Sequence, residues 1–191
     1  MCYGRGVARI VDYADVCKRA DTLGLISAYY NTGAFTFPAG ETVHIVGWVG
    51  GVDSTIRPGL ATVAVGEPVA ANLVKRLMAM WPGEIDGPAW VMPKSHWAFE
   101  LDHGNGGWLG PALAAVGVDP ELLRPLTDGA AIEFEPGDAA ISGLLETLLT
   151  HLTASDFAIL FPRHRHLVTV HHHVQLWWQT ADENWVERLK S

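Results

Sequence analysis

The run from His164 to Trp178 constrains the fold of this chain more than any other stretch. It holds five of the nine histidines, set among β-branched and aromatic residues that favour extended structure. Alternate side chains of a strand point to opposite faces, so the run predicts one long strand over 166–179 with a core face and a half-solvated polar face. The core face would carry Val168, Val170, His172, Val174, Leu176 and Trp178, and the polar face Thr169, His171, His173, Gln175, Trp177 and Gln179.

The chain as a whole has the composition of a packed globular protein. Of its 191 residues, 49% are hydrophobic and 18% charged, which predicts a single globular domain over residues 1–191. A net charge of -8 without a basic patch disfavours binding to nucleic acid or to an anionic membrane surface. Cys2 and Cys17 form no disulfide framework, and no segment has the length of a membrane span. We therefore expect a soluble, cytoplasmic protein.

Strand and helix signals are mixed along the chain without a strict βαβ rhythm. A short turn joins the strand at 156–161 to the histidine strand, which predicts an antiparallel hairpin. We expect an α+β fold with a mainly antiparallel, or mixed, sheet and helices packed on one face. Turn residues and hydrophobic periodicity predict strands over 25–30, 42–49, 60–65, 89–92, 96–102, 130–134, 156–161 and 166–179, and helices over 12–23 and 68–81 and from Asp119, Asp138 and Asp182.

His171 and His173 are the first candidate metal ligands. Two residues apart on a strand, their imidazoles point the same way, and the hairpin would bring His164 or His166 near them. Catalytic zinc is typically held by three protein ligands and keeps one open position. The pattern predicts a divalent metal such as zinc at these histidines. The alternative is a solvated strand face, and it is the favoured interpretation, because antiparallel sheets often leave one face in water.

Three further residues are candidates for acid/base chemistry. His96 and Glu100 share one face of the strand predicted over 96–102, and Glu133 projects from another strand. If these strands are neighbours, the three would gather with His171 and His173 on one sheet face and transfer protons, since histidine titrates near neutrality. They are the candidate catalytic residues of a metal-dependent or acid/base hydrolytic enzyme.

Two other features complete no motif. Cys2 would become an N-terminal nucleophile if Met1 were removed, but an unreactive terminal cysteine is the favoured interpretation. The glycine-rich stretch Gly104–Gly107 lacks the Lys-Ser/Thr that follows a phosphate-binding loop, so we expect an ordinary loop after a strand.

Gln175 and Trp177 share the predicted face of His171 and His173, and tryptophan is enriched at binding hot spots. Such a polar-aromatic face suits a small molecule or a protein partner. Because no complete catalytic motif is present, the sequence favours a non-enzymatic binding module, with the hydrolytic enzyme as the alternative. Convergence of the candidate residues in one pocket favours the enzyme, and scatter over an open face favours binding.

Overall fold

The computed structural model describes residues 8–49, 61–65, 69–153 and 155–191. The strands in these ranges are β1 (Arg9–Val11), β2 (Ile26–Ser27), β3 (Phe35–Thr36), β4 (His44–Val49), β5 (Ala61–Ala64), β6 (Ala89–Pro93), β7 (Ala131–Phe134), β8 (Phe157–Leu160), β9 (His166–His171) and β10 (Gln175–Thr180). The helices are α1 (Tyr13–Thr22), α2 (Ala70–Glu84), α3 (Trp97–Phe99), α4 (Leu109–Ala115), α5 (Pro120–Leu123), α6 (Ala139–His151) and α7 (Glu183–Lys190), and a π-helical turn at Glu100–Gly104 continues α3.

One large sheet dominates the fold. Its strand order is β1-β7-β6-β8-β9-β10-β4-β5, and β2 pairs separately with β3. Only the β4–β5 pair in the large sheet is parallel among the described strands; the other neighbours are antiparallel. The predicted α+β class with a mainly antiparallel, mixed sheet is confirmed.

The two faces of the large sheet are covered by different elements. Helices α2, α4, α6 and α7 pack on one face, where the leucines predicted to form the apolar stripe of α6 are buried. Helix α1 and the loop carrying β2 and β3 cover part of the other face through Val16, Leu25 and Phe35. Strand β9 is buried along its whole length as a result. The half-solvated face predicted for the histidine strand is therefore wrong for β9.

The predicted single strand over 166–179 is also wrong. It is a hairpin in which His171 pairs with Gln175, and His172, His173 and Val174 form a three-residue loop. Val174 has a φ of 57°, the left-handed conformation that commonly closes a loop of this length. His172 and Val174 therefore belong to a turn and not to the core face of a strand. The predicted hairpin between β8 and β9 is confirmed.

The strand predicted over 96–102 is replaced by α3 and the π-helical turn. Trp97 and Leu101, four residues apart, are both buried, whereas Phe99 is 48% exposed. Strand alternation would have buried all three on one face, and helical spacing buries only the first and the last. Among the described residues, no helix is both long and apolar enough to cross a membrane.

Candidate functional site

The candidate site lies at the end of the large sheet where β6 ends and β8 begins. Pro93 pairs with Phe157, and Phe157 pairs with Val170 near the end of β9. The backbone N–H of Lys94 donates a hydrogen bond of 2.9 Å to the carbonyl of Asp156, which holds the two strand ends together. The segment before β8 is therefore a neighbour of the turn between β9 and β10.

Three consecutive imidazoles come together at this turn. His171, His172 and His173, here called the histidine turn, each place one ring nitrogen within 4.8 Å of the other two. His171 is 9% exposed, the His172 side chain is 28% exposed, and His173 is exposed. The cluster thus runs from the protein interior to solvent over three residues.

Asp156 orients the middle histidine of the turn. One of its carboxylate oxygens accepts hydrogen bonds from the backbone N–H of His172 at 3.2 Å and from the ring Nδ1 at 2.9 Å. In the neutral form of the imidazole, this contact places the ring proton on Nδ1 and leaves the Nε2 lone pair available. A carboxylate that fixes one nitrogen of an imidazole in this way is the usual outer partner of a metal-bound histidine, and also of a histidine that acts as a base.

His171 is held by ring stacking and by a backbone contact. Its ring lies 4.3 Å from the rings of both His172 and Trp177, and its Nδ1 accepts a hydrogen bond of 3.1 Å from the backbone N–H of His173. Burial lowers the pKa of His171 to about 4, and the neighbouring His172, His173 and Lys94 act in the same direction against the opposing charge of Asp156. The ring is therefore neutral at neutral pH.

Gln175 and Trp177, the residues predicted to contact a ligand or partner, flank the histidine turn. The Trp177 indole N–H donates to the Gln175 side-chain oxygen at 2.9 Å while its ring covers His171. Both residues are half-buried. Trp177 therefore packs against the histidine turn with Gln175 as its hydrogen-bond partner, and the two side chains are only partly accessible to a ligand or partner.

His164 and His166 lie at the opposite end of β9 from the histidine turn. His166 and His171 are the two ends of this six-residue strand, so about 16 Å separates them at ~3.3 Å per residue. The Nε2 atom of His164 lies 3.1 Å from the carbonyl of Asp86. His166 is 5% exposed and packs edge-on against Trp185, with ring centroids 4.6 Å apart. The structure therefore does not bring these two histidines to His171 and His173.

His96, Glu100 and Glu133 do not gather on one sheet face. His96 precedes α3, and its Nδ1 is buried without a hydrogen-bond partner in the part of the chain that the structure describes. Glu133 lies on β7, which is separated from β9 by the two strands β6 and β8. There it pairs with Arg9 at 3.0 Å and accepts a hydrogen bond of 2.8 Å from the Trp90 indole. It lines a cleft of about 360 Å³ beside α1. The predicted common face is wrong, and the catalytic roles of these residues stay predictions.

Sequence reasoning missed two residues of the site. His172 was assigned to a core face by strand alternation, although its position between two other histidines was a visible signal. Asp156 carried no motif and is recognised only through its contact with His172. Cys2 lies outside the described residues. No protein-family model, curated protein or solved structure matches this chain. Its fold and site define an α+β protein with an aspartate-supported histidine turn.

Proposed function

We propose that this protein is a binding protein that holds one divalent transition-metal ion, such as zinc, at the histidine turn. The observation that carries the proposal is the convergence of three imidazoles, one of them oriented by Asp156. Imidazole suits zinc, copper and nickel, whereas magnesium and calcium prefer oxygen ligands. The non-enzymatic role follows from the sequence, which contains no complete catalytic motif.

The spacing of the three rings is compatible with one ion after a small adjustment. Zinc–nitrogen bonds of about 2.0–2.1 Å place two tetrahedral ligands roughly 3.4 Å apart. The ring nitrogens lie within 4.8 Å of one another, so each pair would have to approach by at most about 1.4 Å. Rotation of the exposed His173 supplies part of that movement. His171 would give up its Nδ1 contact with the His173 amide in either case, because coordination through Nδ1 uses that lone pair and coordination through Nε2 moves the ring proton to Nδ1. This loss limits the affinity.

Zinc titration of untagged protein tests the proposal. We expect one equivalent to bind, measured by competition with a chromophoric chelator and by elemental mass spectrometry of desalted protein. The double variant His171→Ala/His172→Ala should lose at least tenfold in affinity. The control variant His103→Ala/His151→Ala removes two exposed histidines elsewhere and should bind as the parent does. Absence of binding in the parent, or equal losses in both variants, would refute the site.

A hydrolytic enzyme is the second candidate, and the Asp156–His172 pair favours it. A carboxylate-oriented imidazole with a free Nε2 is the arrangement of a general base. Release of nitrophenol from a nitrophenyl ester or phosphodiester by metal-free protein, in which Nε2 of His172 is not a metal ligand, would support the enzyme if it is abolished in His172→Ala. A bound ion without turnover would support the binding protein.

The proposal also takes the protein to be cytoplasmic and to act on a small molecule or a protein partner through an open position on the ion. The acidic net charge of -8 supports the choice of such a partner over nucleic acid. Binding of imidazole to the zinc-loaded protein, measured by calorimetry, would detect an open position.

A further inference from the structure

A fully buried carboxylate lies behind the histidine turn. Glu100 is 0% exposed, and its described partners are neutral donors: the hydroxyls of Ser95 and Ser155 and the side-chain amide of Asn105. It takes part in none of the ion pairs of the described residues. Burying an ionisable side chain away from solvent is costly, so a residue of this kind calls for an explanation.

The π-helical turn places Asn105 over this carboxylate. The backbone N–H of Asn105 donates a hydrogen bond of 2.7 Å to the backbone carbonyl of Glu100, five residues earlier. The side-chain amide of Asn105 donates to both the Glu100 carboxylate and the Ser155 hydroxyl. A Cβ atom at Gly104 would lie 3.0 Å from a Glu100 carboxylate oxygen, so a larger residue there would displace that oxygen by a few tenths of an ångström. π-helical turns occur frequently at functional sites.

Ser155 connects this buried cluster to the histidine turn. Its hydroxyl donates a hydrogen bond of 2.8 Å to the Glu100 carboxylate and accepts one of 2.9 Å from the Asn105 side-chain amide. The next residue in the chain is Asp156. Asp156 in turn fixes the ring of His172. One continuous series of hydrogen bonds and one peptide unit therefore join the buried carboxylate to the middle imidazole of the site.

We propose that Glu100 is a positioning residue of the metal site, which fixes Ser155 and thereby sets Asp156 and the orientation of His172. This inference rests on the proposed metal-binding function. Glu100 does not touch a ligand itself, because it is closed off from solvent and its oxygens are engaged. Groups that orient a metal-bound histidine from outside typically contribute 10–100-fold to metal affinity.

Two serines that contact the same carboxylate provide a matched test. Ser155→Ala and Ser95→Ala each remove one hydroxyl contact with Glu100. Only Ser155 is covalently bonded to Asp156, whereas Ser95 is linked to it through the backbone N–H of Lys94, which neither substitution removes. We expect Ser155→Ala to weaken zinc binding about tenfold or more, as an outer-sphere loss does, and Ser95→Ala to leave the affinity within a factor of three. The Glu100→Ala variant should weaken zinc binding as much as Ser155→Ala does. If the Glu100→Ala protein does not fold, the comparison of the two serine variants is the test.

A second readout does not depend on metal. The ring ¹⁵N shifts of His172, assigned with Asp156→Ala, report whether Nδ1 keeps its proton and its carboxylate partner. We expect these shifts to move in Ser155→Ala and to stay at the parental values in Ser95→Ala. Equal behaviour of the two serine variants in zinc affinity and in ring shifts would overturn the positioning role. A parent that binds no zinc but shows the expected ring shifts would refute the metal site alone.

Discussion

At the scale of single residues, Val174 is the most strained position next to the site. Its φ of 57° closes the turn between β9 and β10, although its side chain is β-branched. The left-handed region costs a residue with a Cβ roughly 1–2 kcal/mol, and backbone strain often accumulates at functional sites. The chain accepts this cost at the residue that follows the three histidines.

A comparison of two variants measures the strain at Val174. Val174→Gly and Val174→Ala both remove the isopropyl group, but only glycine adopts the left-handed conformation freely. We expect the glycine variant to unfold with a free energy about 1 kcal/mol higher than that of the alanine variant, in urea titrations. Equal stabilities, or an order reversed in favour of alanine, would show that the turn is not strained.

Because His166 is buried, we expect the free energy of unfolding to depend on pH. Burial, helped by His164 and opposed by Asp182, lowers its pKa from 6.5 to about 4. The unfolded chain therefore binds more protons between these pH values, so the stabilisation is complete above pH 6.5 and is lost as the pH falls towards 4. The shift corresponds to a loss on the order of 3 kcal/mol.

His166→Phe should remove that part of the acid destabilisation, because phenylalanine fills the same space beside Trp178 and Trp185 without titrating. His171 titrates in both proteins, so the difference between their stability curves from pH 4 to 7 isolates His166. Parallel curves would contradict the prediction. The control variant His103→Ala, at an exposed histidine, should follow the parent.

At the scale of elements, the sequence predicts helices with strong caps and fails where turn signals are absent. The aspartate at the start of α6 and its leucine stripe identify the helix correctly, and all five of its buried residues follow that stripe. The turn at 172–174 contains no glycine, asparagine or proline, and without such a residue local sequence gives no reason to break the strand. A strand of fourteen residues is longer than the usual 3–10 residues, and this length alone indicates that the run contains a turn.

The segment from Trp97 to Leu101 shows a different reason for failure. Five residues are too few to separate a period of 2 from one of 3.6 when every second residue is apolar. The buried Glu100 contacts Ser95 and Asn105, each five residues away, and also Ser155, which is 55 residues away in sequence. Contacts of that range cannot be derived from local patterns, and the same holds for the pairing of Asp156 with His172.

The cap of α6 gives a prediction at this scale. The Asp138 carboxylate accepts a hydrogen bond of 2.9 Å from the backbone N–H of Ala140. Asp138→Ala should lower the free energy of unfolding by about 1 kcal/mol, because an amide at the start of the helix loses its acceptor. Asp138→Asn keeps an acceptor oxygen and should remain within a few tenths of a kcal/mol of the parent. Identical losses in both variants would argue against capping.

At the scale of the whole molecule, a zinc ion bound at one end of the sheet should stabilise all of it if the chain is the single domain predicted from sequence. At a free zinc concentration 100 times the Kd, the free energy of unfolding should rise by about 2.7 kcal/mol. Tryptophan fluorescence and far-ultraviolet circular dichroism should report one coincident transition that shifts together. Two transitions, of which zinc moves only one, would show separate folding units.

The strand order has a consequence for how the chain is made. Strand β4, near the start of the sequence, lies between β5 and β10 in the sheet, and β1 pairs only with β7 among the described strands. A ribosome would release β4 and β5 long before β10 exists to cover the open side of β4. Pairings this distant in sequence form slowly, because a long loop must close first. The nascent chain therefore carries an unpaired, apolar strand edge through most of its synthesis, and chaperone capture during translation should concentrate on residues 44–49 until residues 175–180 emerge.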